Sequence, residues 1–170
     1  MIAGIGITGT GNVGIYNSSY IPQSYPQINT GEGNDTITGI GDFINEGSIN
    51  TGNGNDSIFS YEGLSNYNYF TASTIDTGNG NDTITSFGTI FNNGEINTGN
   101  GNDSIIVYGG VGADFEGGGN VFLGDGKDYL KGFGSGNFYG GTGKDRLELT
   151  AGIYTVGISE RSTSPRIALS

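Results

Sequence analysis

One nine-residue phrase, repeated along the chain, constrains the fold more than any other feature. It runs from Asn29 to Ile37, Asn50 to Ile58, Asp76 to Ile84 and Asn97 to Ile105. Looser copies run from Phe122 to Leu130 and from Tyr139 to Leu147. A degenerate copy, Thr8 to Ile15, precedes them with Val13 in place of the aspartate. The shared pattern is x-G-x-G-x-D-x-U, where U is a large apolar residue. Permissive glycines, one carboxylate and then a β-branched residue compose a tight turn that runs into a strand. The first motif glycines, Gly9, Gly31, Gly52, Gly78, Gly99, Gly124 and Gly141, are spaced by 22, 21, 26, 21, 25 and 17 residues. Periods near 20 with one turn phrase each predict a solenoid.

Length predicts one domain, but not an ordinary globule. The 170 residues include 35 glycines, and only 33% are hydrophobic, so apolar burial alone does not offset the entropy of ordering the chain. Gly, Asn and Pro punctuation disfavours helix throughout. Short β-branched or aromatic runs follow each Asp, and Ile28, Ile49, Ile75, Ile96, Val121 or Phe138 precedes each turn. The expected fold is all-β: a right-handed parallel β-roll or β-helix of about seven coils, stacked about 4.8 Å apart with the turns along one edge. Ile37, Ile58, Ile84, Ile105, Leu130 and Leu147 should line one inward row, and the residues before the turns another. The single domain divides into a degenerate coil and cap over 1–28, six motif coils over 29–148, and a C-terminal cap over 149–170. Insertions at Tyr61 to Thr71, Gly109 to Gly119 and Ser18 to Gln27 should leave from the edge opposite the turns. Whether the coil has two or three sides is left open by the spacing.

Net charge is −11, from 17 acids and 6 bases, which disfavours nucleic acid and anionic membranes and favours cations. No cysteine or histidine is present, which excludes disulfides and the usual nitrogen and sulfur ligands of zinc. No segment is apolar enough to insert in a bilayer, and the N-terminus lacks the cationic start and apolar run of a signal peptide. Gly4 to Gly9 and Gly9 to Gly14 spell G-x-G-x-x-G, but no helix can follow either, so a dinucleotide site is not expected. Lys127 and Lys144 lack the earlier glycine of a P-loop. The chain is read as not an enzyme, because it has no His or Cys and its best-placed carboxylates belong to the motif; a polysaccharide lyase with Arg146, Arg161 or Arg166 as the base is the enzymatic alternative.

Gly140 to Glu148 reads G-G-T-G-K-D-R-L-E and resembles the nonapeptide repeat G-G-x-G-x-D-x-U-x of RTX (repeats-in-toxin) proteins; Thr77 to Thr85 is similar, with Thr for the first Gly. The resemblance covers residues 8 to 148. It implies a Ca²⁺-binding β-roll, with each ion between successive turns and held by hard oxygens. One turn would offer two glycine carbonyls and its carboxylate: Gly31, Gly33 and Asp35 in the first strong copy. The next would offer the carbonyls of Thr51 and Asn53 and the second oxygen of Asp56. Carried along the chain, the implied set adds Gly52, Gly54, Thr77, Gly78, Asn79, Gly80, Asp82, Thr98, Gly99, Asn100, Gly101 and Asp103. The looser copies add Leu123, Gly124, Asp125, Gly126, Asp128, Gly140, Gly141, Thr142, Gly143 and Asp145. Six motif aspartates leave five gaps, so about five Ca²⁺ are implied, bringing about +10 against the net −11.

By the same resemblance the chain would be secreted by a bacterium through a type I channel, fold on meeting Ca²⁺, and serve as a structural or adhesin module outside the cell or on its surface. It departs from the family in carrying a regular motif on one edge only, with Gly109 to Asp114 and Gly132 to Asn137 as remnants of a second. Three other readings stay open: a metal-free Asn/Thr ladder, an ice-binding face built of the outward Asn/Thr ranks, and a polysaccharide-binding module using Tyr61, Tyr67 and Tyr69. The partner is left open among a cell surface, a glycan and a second copy of the chain.

Overall fold

The computed structural model describes residues 6–9, 15–17, 26–67, 72–108, 115–132, 136–149 and 155–157. Every regular element among them is a strand, and every strand pairing is parallel. No helix of the described residues is long and apolar enough to cross a membrane.

From the first coil to the one ending at Phe122, each period crosses three sheets and then turns. Sheet A takes Gly6–Gly9 and then the strand after each motif aspartate: Thr36–Gly39, Ser57–Ser60, Thr83–Ser86, Ser104–Val107, Tyr129–Gly132 and Arg146–Leu149. Sheet B holds Ile15–Asn17, Phe43–Asn45, Gly63–Asn66, Thr89–Asn92 and Phe115–Glu116. Sheet C holds the strands before the turns: Gln27–Asn29, Ser48–Asn50, Thr74–Asp76, Glu95–Asn97, Asn120–Phe122, Asn137–Tyr139 and Thr155–Gly157. The choice between two and three sides is thus decided for three. The solenoid has about five turns, limited by the five strands of sheet B.

Register carries the core. In sheet A, Ile37, Ile58, Ile84, Ile105, Leu130 and Leu147 align as expected, and in sheet C so do Ile28, Ile49, Ile75, Ile96, Val121 and Phe138. Sheet B adds a third inward row, Ile15, Phe43, Leu64 and Ile90. Alternation sets which side chains point in: along Ser57–Ser60, Ile58 and Ser60 are buried while Ser57 and Phe59 are half-buried. Each fully buried isoleucine contributes about 1.5–3 kcal/mol relative to exposure. Stacking like on like therefore makes a continuous apolar column from few apolar residues.

Two expectations change. Gly6–Gly9 pairs with Thr36–Gly39, so Gly9 matches Gly39 at a strand end and not Gly31 in a turn. The phrase from Thr8 to Ile15 is therefore not a seventh turn in register with the others; its residues 10–14 lie outside the described residues. The segment from Tyr61 also begins as core, with Leu64 and Asn66 buried in sheet B. The added length of that coil falls after Tyr67. Residues 18–25, 68–71 and 109–114, which contain the rest of the expected insertions and Asp114, lie outside the described residues, as does most of the expected C-terminal cap.

Candidate metal centre

Two glycines per turn set the local geometry. In the second strong copy, Gly52 and Gly54 have φ of 99° and 141°, a region that side chains resist. A Cβ on Gly52 would also land on the carbonyl oxygen of Gly31, one coil earlier. The turn is glycine-rich for close stacking as well as for curvature.

Successive turns are hydrogen-bonded to each other as a fourth parallel ladder. Glu32, Asn53, Asn79, Asn100, Asp125 and Thr142 align along it. Asn53 N donates to Gly31 O at 3.0 Å, and Gly33 N donates to Asn53 O at 2.8 Å. Four threonine hydroxyls run inside the turns: Thr30 to Thr51 O, Thr51 to Thr77 O, Thr77 to Thr98 O and Thr98 to Leu123 O, at 3.1, 3.2, 3.1 and 2.8 Å. Outside, the Nδ2 groups of Asn53, Asn79 and Asn100 donate to Glu32, Asn53 and Asn79 at 2.6–2.7 Å. The second outward rank ties side chain to backbone, with Asn34, Asn55 and Asn81 Oδ1 accepting from the nitrogens of Asn55, Asn81 and Asn102, each at 2.7 Å.

The motif aspartates point the other way. Asp35, Asp56, Asp82, Asp103 and Asp128 are 1–2% exposed. Their column is held by one repeated bond: the backbone N–H of each aspartate donates to Oδ1 of the aspartate one coil later. These distances are 2.8 Å for Asp56, 2.7 Å for Asp82, 2.8 Å for Asp103, 2.9 Å for Asp128 and 3.1 Å for Asp145. The other carboxylate oxygen is different. Oδ2 of Asp56, Asp82, Asp103 and Asp128 is buried with no hydrogen-bond partner.

Four of these carboxylates resist ionisation. Loss of water raises the Asp82 pKa to about 6, and the carboxylates of Asp103 and Asp56 add to it, against the opposing Asp56 N–H. Burial likewise raises Asp128 to about 7, with Asp103, Asp145 and Asp125 adding repulsion. Asp103 and Asp145 are also raised, by desolvation first. Among the described residues no ion pair reaches the column: Lys131–Glu148 at 3.3 Å and Arg146–Glu148 at 3.0 Å lie on the outer face of sheet A.

The fit to a Ca²⁺ ion divides by atom. All donors are hard oxygens, and the orphaned Oδ2 atoms are buried acceptors awaiting a positive partner, which suits such a cation. Of the implied ligands, however, the Gly31, Thr51 and Asn53 carbonyls and Oδ1 of Asp56 already accept bonds between coils. Among the described residues no three carboxylates converge as a metal-holding group. A cation here would depend on Oδ2 plus the second lone pairs of those carbonyls.

The repeat did not announce a second buried polar column. Asn17, Asn45, Asn66 and Asn92, all at most 5% exposed, form an amide ladder inside sheet B with Nδ2 to Oδ1 distances of 2.7, 2.8 and 2.8 Å. It was legible by counting forward from each motif isoleucine, since Asn45, Asn66 and Asn92 follow Ile37, Ile58 and Ile84 by eight residues. No family model, curated protein or solved structure matches the chain.

Proposed function

We propose that this chain is a non-catalytic, Ca²⁺-stabilised parallel β-roll of the RTX kind, which serves as a structural or adhesin module of an extracellular bacterial protein. One observation carries the reading: a column of buried carboxylates in which Asp56, Asp82, Asp103 and Asp128 each have an orphaned Oδ2, with no ion pair to them among the described residues. Bound Ca²⁺ would supply the missing positive charge. The chain's own part is to hold the aspartates in line through the Asp N–H to Oδ1 bonds, and to bring carbonyls close through glycine turns. Because the column is costly without a counter-ion, metal binding and folding should be coupled. Secretion through a type I channel is inferred from the likeness of the repeats.

A second reading is supported by the turns themselves. Their backbone, threonine and asparagine bonds run from coil to coil through the four strong copies, which favours a metal-free Asn/Thr ladder whose aspartates are neutralised by protons. Far-UV circular dichroism of EDTA-stripped protein during a Ca²⁺ titration, with Mg²⁺ as control, separates the two. A coil-to-strand transition specific to Ca²⁺ supports the first. A strand spectrum indifferent to EDTA at neutral pH removes it in favour of the second.

A further inference from the structure

The exposed large hydrophobic side chains among the described residues are Ile40, Tyr61, Phe87 and Tyr108, at 40%, 52%, 47% and 53% exposure. All four occupy the same place in the coil. Each follows the last residue of its sheet A strand, and those last residues, Gly39, Ser60, Ser86 and Val107, are in register. Single exposed hydrophobics are ordinary, but four aligned on adjacent coils make a continuous apolar strip.

The strip is internally ordered. Phe87 stacks on Tyr61 at 5.8 Å and 15°, and on Tyr108 at 5.2 Å and 21°. Phe59 packs edge-on against both Tyr61 and Phe87, at 4.7 and 5.4 Å. With Phe87 covered on both faces, the strip offers outward mainly ring edges. A sugar stacks on an aromatic face, whereas protein side chains interdigitate with edges, so the stacking favours a protein partner.

Charge identifies which protein. Residues 1–125 hold 13 acids and no base, while residues 127–170 hold four acids and six bases, which together make the net −11. The polarity recurs beside the strip. Glu62, exposed, adjoins Tyr61 on the N-terminal side. On the C-terminal side, Lys131 and Arg146 share the single carboxylate of Glu148, at 3.3 and 3.0 Å, which leaves one positive charge over.

We propose that this strip is a homodimer interface on which a second copy docks antiparallel, its two-fold axis passing between Phe87 and Tyr108. In that arrangement the apolar strips meet at the centre. Glu62, one coil before Phe87, faces the partner's Lys131, one coil after the partner's Tyr108, and the contact is made twice by symmetry. A parallel arrangement would instead set acidic end against acidic end. The dimer stands on the outer face of sheet A and requires only that the solenoid be folded, with or without metal.

Sedimentation equilibrium of the full chain over a concentration series tests it, in Ca²⁺ and, where the chain stays folded, in EDTA. The expected result is a reversible dimer that Phe87→Asp weakens about a hundredfold. Glu62→Lys and Lys131→Glu should each weaken it about tenfold, and the double variant should restore it. Circular dichroism on each variant separates loss of dimer from loss of fold, and the two charge variants lie on exposed or half-buried positions that do not enter the core. A monomer at every concentration, a dimer indifferent to Phe87→Asp, or a charge swap that fails to restore association overturns the proposal. So does a monomer that binds an insoluble glucan through Tyr61 and Phe87.

Discussion

At the scale of single residues, the two motif positions do separate work that mutation can distinguish. Gly31 and Gly52 both sit at positive φ, 94° and 99°, but a Cβ on Gly31 meets no described residue within 4 Å, whereas on Gly52 it strikes the Gly31 carbonyl. Gly31→Ala should therefore cost only the strain of the dihedral, about 1–2 kcal/mol, and Gly52→Ala should cost at least about 3 kcal/mol, because the coils must separate. Chemical denaturation of the two variants compares them; equal losses would mean that close stacking does not set the glycine requirement. For the aspartates, Asp82→Asn removes a buried charge while keeping an Oδ1 acceptor for Asp56 N. It should stabilise EDTA-stripped protein at neutral pH by about 1–2 kcal/mol and lower the stabilisation gained from Ca²⁺ by a similar amount. Thermal melts in both buffers read the two signs, and a shift of the same sign in both speaks for the metal-free ladder.

The invariant place of Asp in each phrase was plain in the sequence. That its Oδ1 is spent on a backbone N–H one coil earlier was not, because that bond joins residues 17 to 26 positions apart whose spacing follows the coil length.

At the scale of elements, buried amides hold sheet B as isoleucines hold sheets A and C. Asn66 sits mid-ladder, accepting from Asn45 and donating to Asn92 Oδ1 and to Glu95 O at 3.0 Å. Asn66→Leu would take one acceptor from the Asn45 amide, which keeps Thr74 O and Gly47 O, and one donor from Asn92 Oδ1, which keeps Gly94 N, and would leave Glu95 O without its side-chain donor; it should cost about 1–3 kcal/mol despite adding apolar volume. Urea unfolding measures it; a neutral outcome would mean that the flanking backbone carbonyls suffice. Rows A and C could be written from the motif because they flank the turn at fixed offsets. Row B could not be placed so easily: counted backward from the following turn, its offset changes with coil length, since the 26-residue coil adds its length after Tyr67. Counted forward from the motif isoleucine the offset is six residues for Phe43, Leu64 and Ile90 but ten for Phe115, because the 25-residue coil adds its length before that strand, so row B was legible only in part.

For the whole molecule, the aspartate column fixes a pH dependence. Asp82 near 6 and Asp128 near 7 are raised above their ordinary 3.8, so the folded chain holds these protons more tightly than the unfolded one. Without metal, the resulting stability is fully present below about pH 4 and is lost as pH rises through 6 to 7. Melting temperature in EDTA should therefore fall across that window. In Ca²⁺ the trend should reverse, because protons compete with the ion for the same carboxylates. A melting temperature in EDTA that climbs from pH 4 to pH 7 would contradict the assignment of the column as uncompensated.

What the sequence determined by itself is the period, the parallel solenoid and two of its three inward rows, because a repeated phrase can satisfy its backbone and bury its apolar residues only by stacking each copy on the last. The tertiary structure alone decided that the coil has three sides, that Gly9 belongs to a strand end, and that the solenoid has about five turns. It also decided that four asparagines share a buried column and that four aromatic and aliphatic side chains share an exposed one. The physical reason is the same in each case. Which residues stand on one another depends on where each coil hides its extra length, and only the hydrogen-bonded register between coils records that.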